Sequence, residues 1–174
     1  MKILRKIRKV YYFGYGTGEE IEMIAAVTGR RPKAVGTAIL DDYKLSIQGI
    51  NEVPTSGENP QQILINAYGK TFKSYVVVPE KNNVVVGMLY RLSLHERHLI
   101  DKWELVELGW YKKTFVSVKL KSGKRYLAET QILGDGQTAH IVAPKYGYKP
   151  WLVSKRLLMS RAKHAKKFTL RLRH

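Results

Sequence analysis

Apolar and polar positions alternate along the chain in two periods. The run "VYYF" from Val10 is β-branched and aromatic, which predicts a short buried strand. Ile21, Met23, Ile24 and Val27 then recur at helical spacing, and Gly29 follows as a natural stop. "AVGTAILDDYKLSI" reads as one or two strands, whereas residues 48–71, rich in Gly, Pro, Asn and Ser, read mainly as loop. "SYVVVPEKNNVVVGMLYRL" predicts two strands around a polar turn at 80–83, and "SLHERHLIDKWEL" a helix opened by a capping box of Ser93 and Glu96. "YKKTFVSVKLKSGKRYLAETQIL" has the pattern of a hairpin turning at Ser122 and Gly123, with Val116, Val118 and Leu120 on one face. A basic helix over 154–167, with Leu157, Leu158 and Ala162 inward, ends the pattern. No internal repeat is visible. Strands outnumber helices and do not alternate with them regularly, so the expected class is α+β, a small mixed β-barrel or curled sheet with flanking helices.

At 174 residues and 44% hydrophobic content the chain fits one compact domain. No apolar run is long enough to span a bilayer, and "MKILRKIRK" has no apolar signal core behind it, so the expected setting is cytoplasmic with no membrane partner. The absence of cysteine removes disulfides, thiolate nucleophiles and cysteine-bound metals together. The formal net charge of +17 is concentrated at the ends. Residues 1–9 carry five Lys and Arg and residues 154–174 carry eight, neither with an acid, while the body between them is nearly balanced. The organisation expected is therefore a domain over 10–153, a basic N-terminal arm over 1–9 and a basic C-terminal helix or tail over 154–174. Such ends suit contact with RNA or a ribonucleoprotein, with Lys155, Arg156, Lys163, Lys166 and Lys167 as the candidate phosphate contacts, or they serve solubility alone.

Candidate chemistry is sparse. In Gly14-Tyr15-Gly16-Thr17-Gly18 the third glycine comes one residue too early for a dinucleotide fingerprint, and Glu19, Glu20 and Glu22 follow where a phosphate would have to sit. Two readings of these residues stay open: a tight turn, or a loop whose amides hold a smaller anion or an oxyanion. His95 and His98 stand three apart without a further ligand cluster and read as solvated helix residues, so no metal is expected. Glu104 stands out. It falls near the carboxyl end of the helix marked by Leu99, Ile100 and Trp103, where a negative charge opposes the helix dipole. Trp103, Trp110 and Tyr111 crowd the same region, and desolvation among aromatics would raise a carboxylate pKa toward the range useful for proton transfer. On these residues alone, a catalytic glutamate and an ordinary surface glutamate both remain open.

"YYFGYGTG", "VVVGMLYRLS" and "LIDKWELVELGWYKKTFVSV" together resemble the gamma-glutamylcyclotransferase-like superfamily, which includes gamma-glutamylamine cyclotransferases and plant and bacterial relatives. Its pattern is a strand ending in Tyr-Gly-Ser/Thr, a later Gly-x-x-Tyr/Trp strand, and a helix with Leu-Asp-x-x-Glu followed by a tyrosine. The matching residues here are Tyr15-Gly16-Thr17, Gly87 to Tyr90, and Asp101 to Glu104 with Tyr111. The resemblance covers residues 11 to about 133. It implies that Tyr15, Gly16, Thr17 and Gly18 cradle a small gamma-glutamyl substrate beside Tyr111, that Glu104 serves as acid and base, and that no cofactor is required. The substrate's own amine would attack its γ-carbonyl and release 5-oxoproline, so no protein nucleophile is implied. An RNA- or ribonucleoprotein-binding protein on the same scaffold, with weak or lost catalysis, is the alternative. Gly18 stands where relatives commonly carry asparagine or leucine, and Leu105 follows the glutamate where many have glycine. These departures bear on substrate choice and leave the acid/base in place.

Overall fold

The computed structural model describes residues 8–143 and 155–171. In chain order it contains β1 (Lys9–Gly14), α1 (Ile21–Thr28), β2 (Lys33–Gly49), α2 (Pro60–Tyr68), β3 (Lys73–Ser93), α3 (Leu94–Trp103), β4 (Tyr111–Leu120), β5 (Arg125–Leu133), β6 (Ile141–Val142) and α4 (Lys155–Arg171). The first five strands form a closed mixed barrel in the order β3-β1-β5-β4-β2, with β2 returning to β3, and β6 is added on the free side of β2. All pairings are antiparallel except the short parallel contact of Tyr12 with Glu129 between β1 and β5. The α+β barrel expected from the sequence is the fold observed.

Two apolar clusters divide the interior. Inside the barrel, Phe13, Leu40, Val77, Val85, Leu89, Val116 and Val118 meet. These are inward positions of alternating strands, as the outward-facing Phe115 and Ser117 beside Val116 and Val118 show. On the outer face of β1 and β3, the helices build a second cluster from Met23, Ile24, Val27, Leu64, Leu99, Ile100, Trp103, Trp110, Ala165 and Phe168. A cavity opens inside this second layer.

Several elements differ from the sequence reading. Residues 80–83 do not turn the chain back. Both halves of β3 pair with the same strand, Tyr43 with Pro79 and Asp41 with Val84, so the polar segment is a bulge in one long strand. Asn82, at φ 65°, donates its N–H to Asp42 Oδ1 at 3.1 Å there. The segment 48–71 is not mainly loop, because it contains α2. Asn59 caps that helix by accepting from the Gln62 N–H at 3.0 Å, and Pro60 occupies its first turn. The dipeptide Asn-Pro was thus a start signal hidden in turn-rich composition. The capping box of Ser93 and Glu96 is present, and Gly29 closes α1 with φ 84°.

The C-terminal basic helix is packed against α1 and α3 through Ala162, Ala165 and Phe168, while Lys163, Lys166 and Lys167 are exposed. The side chains of Lys155, Arg156, Leu157 and Leu158 lie outside the described residues, as does the chain over 1–7 that makes up most of the basic arm. Among the described residues, no helix is long and apolar enough to cross a membrane and no group of acidic and histidine side chains could hold a metal ion. His95 and His98 are exposed on α3.

Candidate active site

The loop after β1 is a single 3-10 turn over Gly16–Glu19, closed by the Gly18 N–H donating to the Tyr15 carbonyl at 2.9 Å. The N–H groups of Gly16 and Thr17, at the start of this turn, have no partner within it. Its tightness is dictated from below. A Cβ at Gly87 would stand 2.5 Å from the Gly14 carbonyl oxygen and 2.5 Å from the Phe13 ring, so only glycine lets β3 approach β1 this closely. Tyr90, three residues on, is fully buried and donates its hydroxyl to the Glu19 carbonyl at 2.9 Å. The Gly-x-x-Tyr motif is therefore a support for the loop. Gly16 has φ 56°, and a Cβ there would lie 2.9 Å from Tyr75 Cβ. The steric constraint on Gly16 comes from β3 rather than from a ligand.

Opposite the loop, α3 ends at Trp103, and Glu104 is its C-cap residue, with its N–H donating to Ile100 at 3.0 Å. The next residue, Leu105, is buried with φ 48° and ψ 41°, a left-handed conformation disfavoured by about 1 to 2 kcal/mol for a residue with a side chain. Glycine would adopt this conformation without that cost. The reversal turns the chain toward Trp110 and Tyr111 and leaves Glu104 facing inward.

Glu104 lines two adjoining cavities. The outer one, about 310 Å3, is bounded by Thr17, Ser74, Tyr75 and Glu104 on one side and by Tyr68, Phe72, Trp103 and Trp110 on the other; Lys73, Met23, Ser160 and His164 complete it. The inner one, about 20 Å3, is lined by Tyr12, Tyr15, Thr17, Ser74, Tyr75, Glu104, Tyr111 and Gln131, and has room for about one water. Thr17, Ser74, Tyr75 and Glu104 form the shared wall. Of the residues expected from the sequence, Tyr15, Thr17, Glu104 and Tyr111 thus meet at one place. Gly16 and Gly18 are buried behind the wall and line neither cavity. Lys163, Lys166 and Lys167 also line neither.

Burial among these rings pushes the Glu104 pKa up to about 8, with Arg97 pulling it down and Asp101 adding to the rise. Its side chain is half-buried because it faces the cavity. Among the described residues no hydrogen bond or ion pair engages its carboxylate. The phenols around it are held. The Ser74 hydroxyl lies 2.7 Å from the Tyr111 oxygen, which donates to the Tyr75 carbonyl at 2.6 Å. Tyr15 donates to the Gln131 carbonyl at 2.8 Å. Burial, reinforced by neighbouring acidic groups, raises both phenols well above the ordinary tyrosine range, so they stay neutral.

Behind the site lies a polar network that sequence reasoning missed. Arg97 is buried and stands 2.8 Å from both Asp101 and Glu129, and its guanidinium lies 4.9 Å above the centre of the Tyr12 ring. Gln131 accepts from the Tyr12 hydroxyl at 3.2 Å and donates to Asp101 at 3.3 Å. Arg97 meets its two carboxylates at ion-pair distance without hydrogen-bond alignment. Ser74, Tyr75, Tyr68, Phe72, Ser160 and His164 were also missed as lining residues. They come from α2, the approach to β3 and its first residues, and α4, which only the fold brings to Glu104.

The AIG2-like family matches residues 84–155, a segment holding the second half of β3, α3 with Glu104 and the β4–β5 hairpin. No curated protein matches by sequence. Similar solved structures include a gamma-glutamyl cyclotransferase at 16% identity and TM-score 0.62, over 95% of this chain and 87% of that one. An uncharacterized protein from Homo sapiens is similar at 18% identity and TM-score 0.61, over 95% and 86%. An AIG2-like protein from Mus musculus is similar at 13% and 0.54, over 82% and 89%. At such identities the likeness carries the fold, a barrel with its helical layer on one side.

Proposed function

We propose, for a chain that its fold and its AIG2-like segment assign to the gamma-glutamylcyclotransferase-like superfamily, that it cyclises a small gamma-glutamyl amide or peptide and releases 5-oxoproline and an amine. The observation that carries this reading is the position of Glu104: a carboxylate without a partner among the described residues, with a raised pKa, on the wall of a cavity of small-molecule size. The substrate's α-ammonium group gives one proton to Glu104, and the freed amine attacks the γ-carbonyl. As the five-membered lactam closes, the C–N bond to the leaving amine breaks. Two protons leave the α-nitrogen in all and two arrive on the leaving nitrogen, so Glu104 ends in the state in which it began. The Thr17 backbone, at the shared wall of the two cavities, steadies the carbonyl oxygen as it gains charge, and the cavity holds amine and carbonyl together. Incubation with a panel of gamma-glutamyl compounds and detection of 5-oxoproline by mass spectrometry tests this. Release by the wild type and not by Glu104→Gln supports it; no release from any compound opposes it.

A second reading rests on α4. Its sequence contains no acid, Ala162, Ala165 and Phe168 are buried, and Lys163, Lys166, Lys167 and Arg171 are exposed. We infer a polyanion-binding face for RNA or a ribonucleoprotein, which operates alongside catalysis or in its place. Phosphate contacts of this kind release counterions, so binding should weaken steeply with salt and show little sequence preference.

A further inference from the structure

The cavity beside Glu104 is polar at one end and aromatic at the other, and the aromatic end is fixed by contacts within the protein. Tyr68 and Phe72 stack at 4.8 Å between centroids with 19° between their planes, and Phe72 lies 6.0 Å from Trp110. Trp103 donates its indole N–H to the Tyr68 hydroxyl at 3.3 Å, and Trp110 donates its own to Gln48 at 2.8 Å. Both indole donors are therefore spent inside the protein, and apart from the Tyr68 hydroxyl, which accepts from Trp103, what the rings offer a ligand is apolar surface.

Aromatic surface alone would accept either an apolar group or a cation. The polar residues at this end favour the first. Lys73 and His164 line the same cavity, and among the described residues Glu104 is the only acid lining it and no carboxylate pairs with Lys73 or His164. A leaving group bearing an ammonium would meet the Lys73 ammonium, whereas one bearing a carboxylate would gain a partner.

Building on the cyclotransferase reading, we propose that the site is specific for gamma-glutamyl dipeptides whose second residue is aromatic. The γ-glutamyl group lies against Thr17, Ser74 and Glu104. The aryl side chain of the leaving amino acid fills the space between Tyr68, Phe72, Trp103 and Trp110, and its carboxylate faces Lys73. The volume of about 310 Å3 is at the small end of ordinary ligand sites and suits a dipeptide. His164 makes α4 part of the specificity wall, with its ring 6.2 Å from that of Tyr68.

Four compounds separate the alternatives: γ-glutamyl-phenylalanine, γ-glutamyl-phenethylamine, γ-glutamyl-alanine and ε-(γ-glutamyl)-lysine. We expect kcat/KM for the phenylalanine compound to exceed that for the alanine compound by about 10- to 200-fold. The phenethylamine compound, which keeps the ring and lacks the carboxylate, should fall between them, and the lysine compound should be poor. Lys73→Gln should shrink the preference for phenylalanine over phenethylamine several-fold. Alanine or lysine compounds processed as well as the phenylalanine compound would overturn the proposal, as would an unchanged preference in Lys73→Gln. Calorimetry on the Glu104→Gln protein with the same compounds separates this from the cyclotransferase reading. Selective binding without wild-type turnover would sustain the subsite and sink the enzyme reading; turnover without selectivity would do the reverse.

Discussion

Replacing Glu104 with glutamine keeps the side-chain shape and removes both the proposed proton shuttle and a charge that the site disfavours. The two consequences have opposite signs and can be measured on one protein. In activity, loss of a positioned acid/base should lower kcat by about a hundred- to ten-thousand-fold while leaving substrate affinity nearly unchanged. In stability, the sign follows from the direction of the pKa shift. The folded protein holds the carboxyl at about 8 against an ordinary value of 4.5, so the protonated form is the one the fold favours. Below pH 4.5 the group is neutral in both states and is without cost. As pH rises from there toward 8, the unfolded chain ionises and the folded one resists, and stability is lost progressively. At pH 7 this amounts to at most about 3 kcal/mol. Glu104→Gln lacks this decline, so it should be the more stable protein at pH 7 and equal to the wild type near pH 4. The same carboxylate predicts that wild-type kcat/KM rises with pH up to about 8 and then levels. Denaturant unfolding at several pH values, beside 5-oxoproline release over the same range, reads both effects. Full turnover in the variant, or a stability difference that does not grow between pH 4.5 and 8, would refute the reasoning.

Gly16→Val should lower the melting temperature, because its side chain meets Tyr75 and resists φ 56°, and should also raise KM through displaced Tyr75; an unaltered KM in a well-folded protein would reduce the loop to a turn. Leu105→Gly should destabilise, since relief of roughly 1 to 2 kcal/mol of backbone strain is outweighed by about 2 to 5 kcal/mol from an emptied core position, and urea unfolding will show the sign. Arg97→Met should cost about 3 to 5 kcal/mol by leaving Asp101 and Glu129 buried without a cation, and in whatever remains folded should move the pH profile to the alkaline side. Lys163→Glu, Lys166→Glu and Lys167→Glu combined should abolish salt-sensitive RNA binding measured at two ionic strengths, without removing the buried side of α4; affinity equal to the wild type would leave the charge as a solubility feature.

Local chemistry was legible in the sequence wherever one short segment determined it. The Ser93 and Glu96 box, the stop at Gly29 and the hairpin at Gly123 depend on neighbours in the chain, and all three stand. Glu104 was legible for the same reason, since its misfit with the helix dipole and its aromatic neighbours both lie within a few residues. The polar segment 80–83 misled because turn chemistry also serves a bulge, and the difference lies in β2, forty residues away. The role of α4 as a cavity wall could not be read at all. Its alanines and Phe168 mark a buried side, but nothing local says that Ser160 and His164 meet an aromatic wall built from α2, α3 and the approach to β4.

The last turn of α3 carries two carboxylates three residues apart, and their surroundings assign them different work. Asp101 pairs with Arg97 at 2.8 Å and accepts from Lys113 at 3.2 Å and Gln131 at 3.3 Å, so its oxygens are engaged from three elements, and it lines neither cavity. Glu104 faces the cavity with no partner among the described residues, and Arg97, the cation that lowers its pKa, is already shared between Asp101 and Glu129. Had Arg97 been free to pair with Glu104, the carboxylate would be held ionised and would make a poor proton donor to a leaving amine. By absorbing that cation, Asp101 and Glu129 keep Glu104 near the point where it can both take and give a proton. In the proposed reaction Asp101 would thus tune Glu104 electrostatically, by raising its pKa and by pairing with Arg97, and would not itself handle the proton.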